Sequence, residues 1–452
     1  MLKDDLLKFI PDHSRVTENE TVRLNHSKGI TYHAPVLPDI VVFPKTEEEV
    51  QKVVQYAIDK QIPIVPFGAG SSLEGHIIPL KGGITMDFTL MNKILEVRPE
   101  DFLVKVQPGV TRTQLNLALK KHGIFFPIDP GADATIGGMA ATNASGTNAV
   151  YYGTMKHNIL GLRSVMANGA VISTGSETVK TSTGYNLTEL LVGSEGTLGV
   201  FTEITLKVYG IPEHIVAAKA VFENVEQAGA AAALVLQAGI NIGRIELVDG
   251  KTIEAVNDHV GTDFEVKPTL FLEFHGSRAA AEDDYTVTKE LMEDSGALSF
   301  KAEADSLKRA QLWDARHQAA SAIVSREPGK LLVVTDVCVP ISKLAECIGK
   351  TRELAEEHNI DAAILGHVGD GNFHAAFCVD SNDESEMANF KELNTKIVDL
   401  AFKFGGTCSG EHGIGMGKKE FLKEQYKEAL PFMKIIKESF DPNNLFNPGK
   451  IF

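Results

Sequence analysis

Two histidines seven residues apart are the side chains with the clearest capacity for chemistry. They bound the segment His367-Val-Gly-Asp-Gly-Asn-Phe-His374, in which Asp370-Gly371 is typical of the two-residue turn of a β-hairpin. A hairpin centred on that turn would pair His367 with His374 on one face, with Cβ atoms about 4.5–5.5 Å apart. We therefore predict that both imidazoles bind one metal ion, although a half-buried cross-strand pair without a metal would show the same spacing.

A carboxylate and a third histidine follow in the segment Gly410-Glu-His-Gly-Ile-Gly415. Its glycines allow the backbone to approach a ligand closely. Glu411 could complete a set of two histidines and one carboxylate, which leaves coordination positions open for a substrate, as in catalytic sites. Such a set suits zinc, manganese or iron, and we expect zinc or manganese.

Three segments concentrate glycine and small residues beside predicted strands. They run from Pro66 to Gly75, from Pro130 to Gly146 and from Gly193 to Val200. Because glycine lets successive backbone N–H groups converge on a phosphate, three such segments favour a pyrophosphate-containing cofactor, while any one of them could be a plain turn. The dinucleotide-binding fingerprint of the Rossmann fold is not met, because Leu73 stands where its third glycine belongs.

The hydrophobic pattern around these segments is that of alternating helices and strands. Capping boxes at Thr46 with Glu49 and at Thr111 with Gln114 predict the starts of two helices, the first of which runs to Lys60. Short strands bounded by turn residues are predicted over residues 62–68, 84–88 and 104–107.

A change of character near residue 212 predicts a domain boundary. The glycine-dense pattern fades there, and an alanine-rich helix over residues 228–236 opens a region of longer elements. Helices resume near residue 418, and Pro442 ends the last of them. We predict a cofactor-binding domain over residues 1–212, a second domain over 213–417 and a segment over 418–452 that returns to the first.

The composition of the 452 residues excludes several classes of protein. A hydrophobic fraction of 43% fits a folded globular chain, and a formal charge of −16 argues against nucleic acid as a partner. The four cysteines contain no CxxC pair, which argues against a disulfide framework or an iron–sulfur cluster. Without an apolar run of membrane-spanning length or the features of a secretory signal, the chain is expected to be cytoplasmic.

The glycine segments, together with the closing Asn447-Pro-Gly-Lys450, resemble the FAD-binding domain of the vanillyl-alcohol oxidase and p-cresol methylhydroxylase superfamily. The similarity extends from about Pro35 to Phe452. Within that superfamily the chain resembles the branch of D-lactate dehydrogenases, glycolate oxidase flavin subunits and D-2-hydroxyglutarate dehydrogenases. This resemblance implies an α+β fold, in which a two-subdomain FAD-binding domain of the p-cresol methylhydroxylase type carries an inserted α/β cap domain that binds the substrate.

The resemblance also implies which residues hold FAD. The loop from Pro66 would wrap the pyrophosphate, the second segment would line the isoalloxazine and ribityl chain, and the third would lie on the adenine side. Asn447 would return from the C-terminal segment to the flavin, and His76 would be a loop histidine, so that FAD is bound noncovalently. The implied contacts are Pro66, Gly68, Ala69, Gly70, Ser71, Ser72, Gly75, Pro130, Thr135, Gly138, Thr142, Asn143, Gly146, Glu195, Gly196, Gly199, Val200 and Asn447.

The resemblance further implies a reaction. Arg316 stands where relatives carry a carboxylate-binding arginine, with Lys330 as a second candidate, and His412 stands where they carry the general base. With the metal on His367, His374 and Glu411, the chain is expected to oxidise a small D-2-hydroxy acid, D-lactate or glycolate, to the 2-oxo acid. Alternatives are a D-2-hydroxyglutarate dehydrogenase, a metal-dependent hydrolase and a noncatalytic flavin-bearing subunit.

Reduced flavin must be reoxidised, and the sequence encodes no second redox centre. A separate acceptor is therefore expected: a quinone, a cytochrome, an electron-transferring flavoprotein or an iron–sulfur subunit. Such an acceptor could hold the chain peripherally at a membrane, and the sequence leaves the oligomeric state open, a homodimer included.

Overall fold

The computed structural model describes residues 2–303 and 305–452, and the chain divides into two compact units. The first unit consists of Met1–Gly146, Tyr152–Ile211 and Glu411–Phe452, and the second of Thr147–Tyr151 and Pro212–Gly410. The second unit is therefore inserted, along the sequence, between two parts of the first. The returning part begins seven residues earlier than the predicted segment over 418–452. It groups with the first unit because the N–H groups of Ile414, Gly415 and Met416 bond to Glu195 and Glu74 of that unit.

The first unit contains a parallel arrangement of short strands and an antiparallel sheet. Its strands are, in chain order, β1 Val16–Thr17, β2 Ile40–Val42, β3 Ile64–Phe67, β4 Ile84–Asp87, β5 Ile94–Arg98, β6 Leu103–Val106, β7 Ile124–Phe125, β8 Ile159–Val165, β9 Val171–Gly175, β10 Val200–Lys207 and β11 Tyr209–Gly210. One sheet has the order β1-β2-β4-β3, with β2 and β3 parallel to β4, and a second has the antiparallel order β5-β6-β10-β8-β9. β7 pairs with β11.

The helix Glu47–Lys60 joins β2 to β3 and shows why the predicted periodicity produces a helix. The Oγ1 of Thr46 accepts a hydrogen bond from the N–H of Glu49, as the capping box predicts. Its apolar stripe, which includes Val50 and Val54, is fully buried against the first sheet. The helix Arg112–Leu119 begins in the same way, because Thr111 accepts from the N–H of Gln114. Both predicted helix starts are confirmed.

Shorter helices complete the first unit. The α-helices are Leu2–Leu7, Glu20–Asn25, Ile136–Thr142, Met155–Asn158, Leu187–Leu191, Lys419–Gln425 and Leu430–Phe440, and single 3-10 turns span Phe88–Leu90, Pro99–Asp101 and Lys120–His122. The helix Ala149–Tyr152 lies where the chain passes between the units. The last helix ends two residues before Pro442, as predicted.

The second unit is built on one large sheet. Its strands are β12 His214–Val221, β13 Ile242–Val248, β14 Thr269–Gly276, β15 Ser299–Glu303, β16 Leu331–Val334, β17 Val337–Cys338, β18 Ala363–Gly366 and β19 Asn372–Val379, in the sheet order β15-β12-β14-β13-β18-β19-β16 with β17 paired to β19. Its helices are Val225–Gln237, Gly250–Val260, Arg278–Asp294, Ser306–His317, Ala319–Arg326, Leu344–Glu357 and Glu384–Lys403, with a 3-10 turn at Ile341–Lys343. Helices and strands are thus mixed in both units, which agrees with the predicted α+β class.

The hairpin between β18 and β19 forms, but its predicted register is wrong by two positions. His374 stands opposite Leu365, not opposite His367. The loop is longer than two residues, because the N–H groups of Asp370 and Asn372 both donate to the carbonyl of His367, at 3.0 and 3.3 Å. Of the pair expected to form the tight turn, only Gly371 has a positive φ (+77°), whereas a type I′ turn needs it at both positions.

Within residues 2–303 and 305–452, no helix combines the length and the apolar character that crossing a membrane requires.

Candidate active site

The three glycine segments of the first unit converge. A Cβ atom on Gly68 would lie only 2.3 Å from the Oγ1 of Thr135, so the first segment contacts the second where a side chain could not fit. The third segment joins them through the N–H of Glu195, which donates to the carbonyl of Ala141 at 2.8 Å, and through Gly196, where a Cβ would lie 3.0 Å from Pro66. Three segments, of which the first and third are more than a hundred residues apart, therefore form one cradle of backbone.

The side chain of Glu195 links this cradle to the returning part of the first unit. Its carboxylate is fully buried and accepts hydrogen bonds from the N–H groups of Ile414 and Gly415, at 2.7 and 2.8 Å, while the Nε2 of His76 lies 3.4 Å away. Burial alone raises the pKa of the Glu195 carboxyl, but attraction to His76 and the two backbone donors outweighs it, so the pKa lies below its ordinary value. The carboxylate of Glu195 thus fixes the loop that follows His412, while its contact with the adenine side of FAD stays a prediction.

The C-terminal segment closes the cradle. The Nδ2 of Asn447 donates to the carbonyls of His76 and Glu195, at 2.9 and 2.8 Å. Asn447 also extends the strand pairing, since its N–H donates to the carbonyl of Ile64. The buried ammonium of Lys450 donates to the carbonyl of Ile78 at 2.6 Å. Asn447 is therefore a tie between two of the predicted cofactor loops and more than a turn that ends a helix.

The cradle has the chemistry that a pyrophosphate-containing cofactor requires. Among the described residues, the Oγ of Ser72 and the Oδ1 of Asn447 are buried without a hydrogen-bond partner, and such atoms in a native protein call for a ligand or water. Both residues belong to the set predicted to hold FAD. The residues present thus fit the group, with the Oγ of Ser72 and the Oδ1 of Asn447 as two polar atoms that such a group could satisfy.

Other predicted cofactor contacts have structural partners. The Oδ1 of Asn143 accepts from the hydroxyl of Thr154 and the N–H of Lys156, both at 3.0 Å. Val200 begins β10, is almost fully buried and pairs with Val165 in the core. The individual FAD contacts listed from the resemblance remain predictions.

Glu411 and His412 lie at the start of the returning part of the first unit. The carboxylate of Glu411 accepts a hydrogen bond from the Oγ of Ser145 at 2.8 Å, which fixes it beside the second glycine segment. The Nε2 of His412 lies 3.9 Å from the other oxygen of Glu411. The predicted third ligand and the predicted base are therefore neighbours, and Ser145, which the sequence analysis missed, positions the carboxylate.

The histidine pair lies in the second unit with its rings on the same face. The ring centroids of His367 and His374 are 5.9 Å apart and the rings are nearly perpendicular. A register shift of two residues preserves the face, because side chains alternate along a strand with period two, so the rings are diagonal instead of opposite neighbours. The two imidazoles are brought together despite the error in the predicted pairing.

Both rings donate through the same nitrogen. The Nδ1 of His374 lies 2.9 Å from the carbonyl of Thr335, and the Nδ1 of His367 lies 2.7 Å from the carboxylate of Glu246. A carbonyl or an ionised carboxylate only accepts, so Nδ1 carries the proton and the lone pair of each neutral ring is on Nε2. Metal-binding histidines show this arrangement, in which a second acceptor fixes the tautomer. The pair therefore fits a divalent metal.

Arg316 is held by the same carboxylate. On the helix Ser306–His317, its Nε and Nη2 donate to one oxygen of Glu246 at 3.1 and 2.7 Å, while His367 binds the other oxygen. Burial raises the pKa of Glu246, but His367 and Arg316 outweigh it and hold the pKa below its ordinary value. Arg316 is thus part of a buried ion pair, not of a surface salt bridge on an amphipathic helix. The second candidate, Lys330, pairs more loosely with two carboxylates, at 3.5 and 3.6 Å.

Asp336 lies beside His374 and is fixed by three hydrogen bonds. Its carboxylate accepts from Asn372, from Ser409 and from the N–H of Gly410, and one oxygen lies 3.8 Å from His374. Because Gly410 directly precedes Glu411 in the chain, Asp336 also fixes the point from which the predicted third ligand departs.

Glu246 is not among the predicted site residues, although the sequence contains a signal for it. Glu246 stands in Ile242-Gly-Arg-Ile-Glu-Leu-Val248, where a carboxylate lies in a short apolar strand. A carboxylate there must be paired if the strand is buried on both faces, so a partner could have been expected. Which arginine and histidine pair with it depends on the order of strands in the sheet, which local patterns do not determine.

Models of two protein domains match most of the chain. The model described as an FAD binding domain matches residues 38–175, and that of the FAD linked oxidases, C-terminal domain, matches residues 211–451. The second match alone covers more than half of the chain.

Several curated proteins match over most of their length. The chain is 44% identical over 440 residues to the probable D-lactate dehydrogenase, mitochondrial, of Danio rerio, covering 96% of this chain and 88% of that protein. It is 39% identical over 447 residues to the D-lactate dehydrogenase (cytochrome), mitochondrial, of Arabidopsis thaliana, covering 98% and 79%. It is 33% identical over 435 residues to the glycolate oxidase subunit GlcD of Bacillus subtilis (strain 168), covering 95% and 92%.

The fold is that of a solved flavoprotein. The structure of p-cresol methylhydroxylase with substrate bound superposes with a TM-score of 0.82, covering 100% of this chain and 96% of that one at 16% identity. This similarity confirms the predicted type of fold. The chain therefore belongs to the FAD-linked oxidases, in the family that contains D-lactate dehydrogenases and the glycolate oxidase subunit GlcD, and it shares the fold of p-cresol methylhydroxylase.

Proposed function

We propose that the chain is an FAD-dependent dehydrogenase that oxidises a small D-2-hydroxy acid to the 2-oxo acid. D-lactate is the first candidate substrate and glycolate the second, because relatives that match over most of their length carry these names. The match to an FAD binding domain favours this proposal over a metal-dependent hydrolase. D-2-hydroxyglutarate is a weaker candidate, since Ala319, Ala320 and Ser321 follow Arg316 where a second carboxylate would need further cations.

The observation that carries the proposal is the state of the histidine pair. His367 and His374 lie on one face with Nδ1 donating to an acceptor in each case, which directs the lone pair of each ring to Nε2. With Glu411 as third ligand, a bound divalent metal would supply a Lewis acid that lowers the pKa of the substrate hydroxyl. Zinc or manganese suits these ligands.

The roles of the other residues follow from their chemistry. Arg316 would bind the substrate carboxylate through its Nη1 edge, which takes no part in the ion pair with Glu246. His412 would accept the proton of the substrate hydroxyl at neutral pH. FAD, held noncovalently in the cradle, would supply the hydride acceptor.

Turnover needs an electron acceptor outside the chain. The name of the Arabidopsis relative includes cytochrome, which makes a cytochrome the first candidate for this chain, ahead of a quinone, an electron-transferring flavoprotein or an iron–sulfur subunit. A cytoplasmic location, peripheral to a membrane where the acceptor requires it, remains part of the proposal, and so does a homodimer.

The test is anaerobic reduction of the bound flavin. We expect D-lactate or glycolate to bleach the flavin absorption of the purified holoenzyme, and L-lactate to do so much more slowly. D-2-hydroxyglutarate as the substrate with the highest kcat/KM would overturn the assignment to a small acid. Failure of every 2-hydroxy acid to reduce the flavin would overturn the proposed function.

The roles of two histidines can be separated by substitution. His374→Ala should lower metal content together with the rate of flavin reduction, whereas His412→Ala should keep metal and FAD and slow reduction by about a hundredfold to ten-thousandfold. His259→Ala, on an exposed helix position of the second unit, is the matched control and should change neither. Loss of metal from His412→Ala but not from His374→Ala would reverse the two assignments.

A further inference from the structure

Glu246 stands directly opposite His367 in the sheet of the second unit. Leu247 of β13 pairs with Gly366 of β18, so the antiparallel register places the preceding residue of one strand across from the following residue of the other. Glu246 is 1% exposed, and its neighbour on the other side is Phe271 of β14. The position of the carboxylate is thus determined by the pairing of β13 with β14 and β18.

The two oxygens of Glu246 have different partners. Oε1 lies 2.7 Å from the Nδ1 of His367, and Oε2 accepts both hydrogen bonds from Arg316. The guanidinium can only donate, and both of its hydrogen bonds go to Oε2. Oε1 is therefore available to accept from the imidazole of His367. One carboxylate therefore sets the orientation of two side chains that the proposed function assigns to metal and substrate.

We infer, on the basis of the proposed function, that Glu246 is a positioning residue that holds His367 in the tautomer able to coordinate a metal and aligns Arg316 with it. Ionised Glu246 accepts the Nδ1 proton, so Nε2 keeps its lone pair. Glutamine at this position would have to give its oxygen to Arg316 and present its NH2 group to His367. That NH2 group stabilises the tautomer of His367 with the proton on Nε2. In this tautomer Nε2 has no lone pair with which to coordinate a metal.

A second carboxylate in the same sheet provides a matched control. Glu273 of β14 is also buried and also lies between an arginine and a histidine, with Arg244 at 3.8 Å and His275 at 2.6 Å. Neither of its partners belongs to the proposed metal site. Glu273→Gln therefore reproduces the loss of a buried carboxylate next to β13 without touching His367.

The experiment is a titration of holoenzyme with Mn²⁺, in which free Mn²⁺ is measured by electron paramagnetic resonance, combined with FAD content and thermal unfolding. We expect Glu246→Gln to weaken Mn²⁺ binding by about tenfold to a hundredfold and Glu273→Gln to change it less than about threefold. Unchanged affinity in Glu246→Gln, or equal losses in both variants, would overturn the inference.

A further pair of variants covers the case in which Glu246→Gln does not fold, because Arg316 would be left as a buried charge without a counterion. Arg316→Met removes that charge, and adding Glu246→Met to it, which leaves no acceptor at this position for the Nδ1 proton of His367, should again weaken Mn²⁺ binding by at least about tenfold. Equal affinities of the single and double variants would contradict the role of Glu246. Absence of Mn²⁺ binding by the wild type would overturn the metal centre and this inference together, whereas wild-type binding that Glu246→Gln keeps would overturn this inference alone.

Discussion

Replacing Asn447 by alanine should weaken the first unit through the loss of two buried hydrogen bonds. The amide of Asn447 donates to the carbonyls of His76 and Glu195, at 2.9 and 2.8 Å. Removing a buried donor costs about 1–3 kcal/mol for each carbonyl that it leaves unsatisfied, so both together cost roughly 2–6 kcal/mol. Asn447 also has φ +41°, a left-handed conformation in which alanine costs about a further 1 kcal/mol.

Asn444 separates these two contributions. It has φ +49° in the same segment, but its side chain is exposed and makes no hydrogen bond within the part of the chain that the structure describes. Asn444→Ala should therefore show only the cost of the backbone conformation. The difference in stability between the two variants measures the contribution of the hydrogen bonds that the Asn447 amide makes to the cofactor loops.

The assay is thermal unfolding followed by the fluorescence of released flavin. For a unit of this size 1 kcal/mol shifts Tm by about 2–4 °C, so Asn444→Ala should lose about that much and Asn447→Ala roughly 4–24 °C more. Equal shifts in the two variants would refute the reasoning, because the amide of Asn447 would then contribute no more than an exposed one.

Three further outcomes are expected. Acid precipitation should release the yellow flavin into the supernatant, and colour retained in the pellet would contradict noncovalent binding. Because the folded pKa of Glu195 lies below its ordinary value of 4.5, its stabilisation is present above that value and is lost as the pH falls through the folded pKa. The Tm gap between wild type and Glu195→Gln should thus be wide at pH 7 and narrow toward pH 4, and a gap independent of pH would contradict the charge effect. Burial raises the pKa of Cys338 and of Cys347 to about 12, so the native protein should be alkylated at these thiols on the order of a hundredfold more slowly than free cysteine, which peptide mapping after iodoacetamide can check.

Local patterns in the sequence predicted the elements and the meeting of the glycine segments. Thr46 and Thr111 cap their helices as the spacing requires, since a cap depends only on residues three positions apart. The pairing of His367 and His374 was predicted with the wrong register, because Asp370 does not adopt the positive φ that a two-residue turn needs. Their common face was still correct, since a shift of two positions preserves it.

The contacts that complete the site could not be predicted from local patterns. Glu246 meets Arg316 and His367, which are 70 and 121 residues away, only because β13 lies between β14 and β18. The family resemblance implies that Glu195 lies on the adenine side of FAD, but no local pattern predicts that its carboxylate binds backbone 219 residues further along the chain. The partners of Glu246 depend on the order of strands in the sheet, and those of Glu195 depend on the returning part of the first unit. Hydrophobic periodicity encodes neither.

The tie between Asn447 and the loop at His76 has a consequence for biosynthesis. Its two ends are separated by 371 residues, and the whole of Pro212–Gly410 is synthesised between them. At about 5–20 residues per second, the first loops leave the ribosome roughly 20–75 s before the residue that closes them. Because most of the second unit is contiguous in the chain, it can fold during that interval. The cradle can therefore be completed only after Asn447 has been synthesised, late in translation.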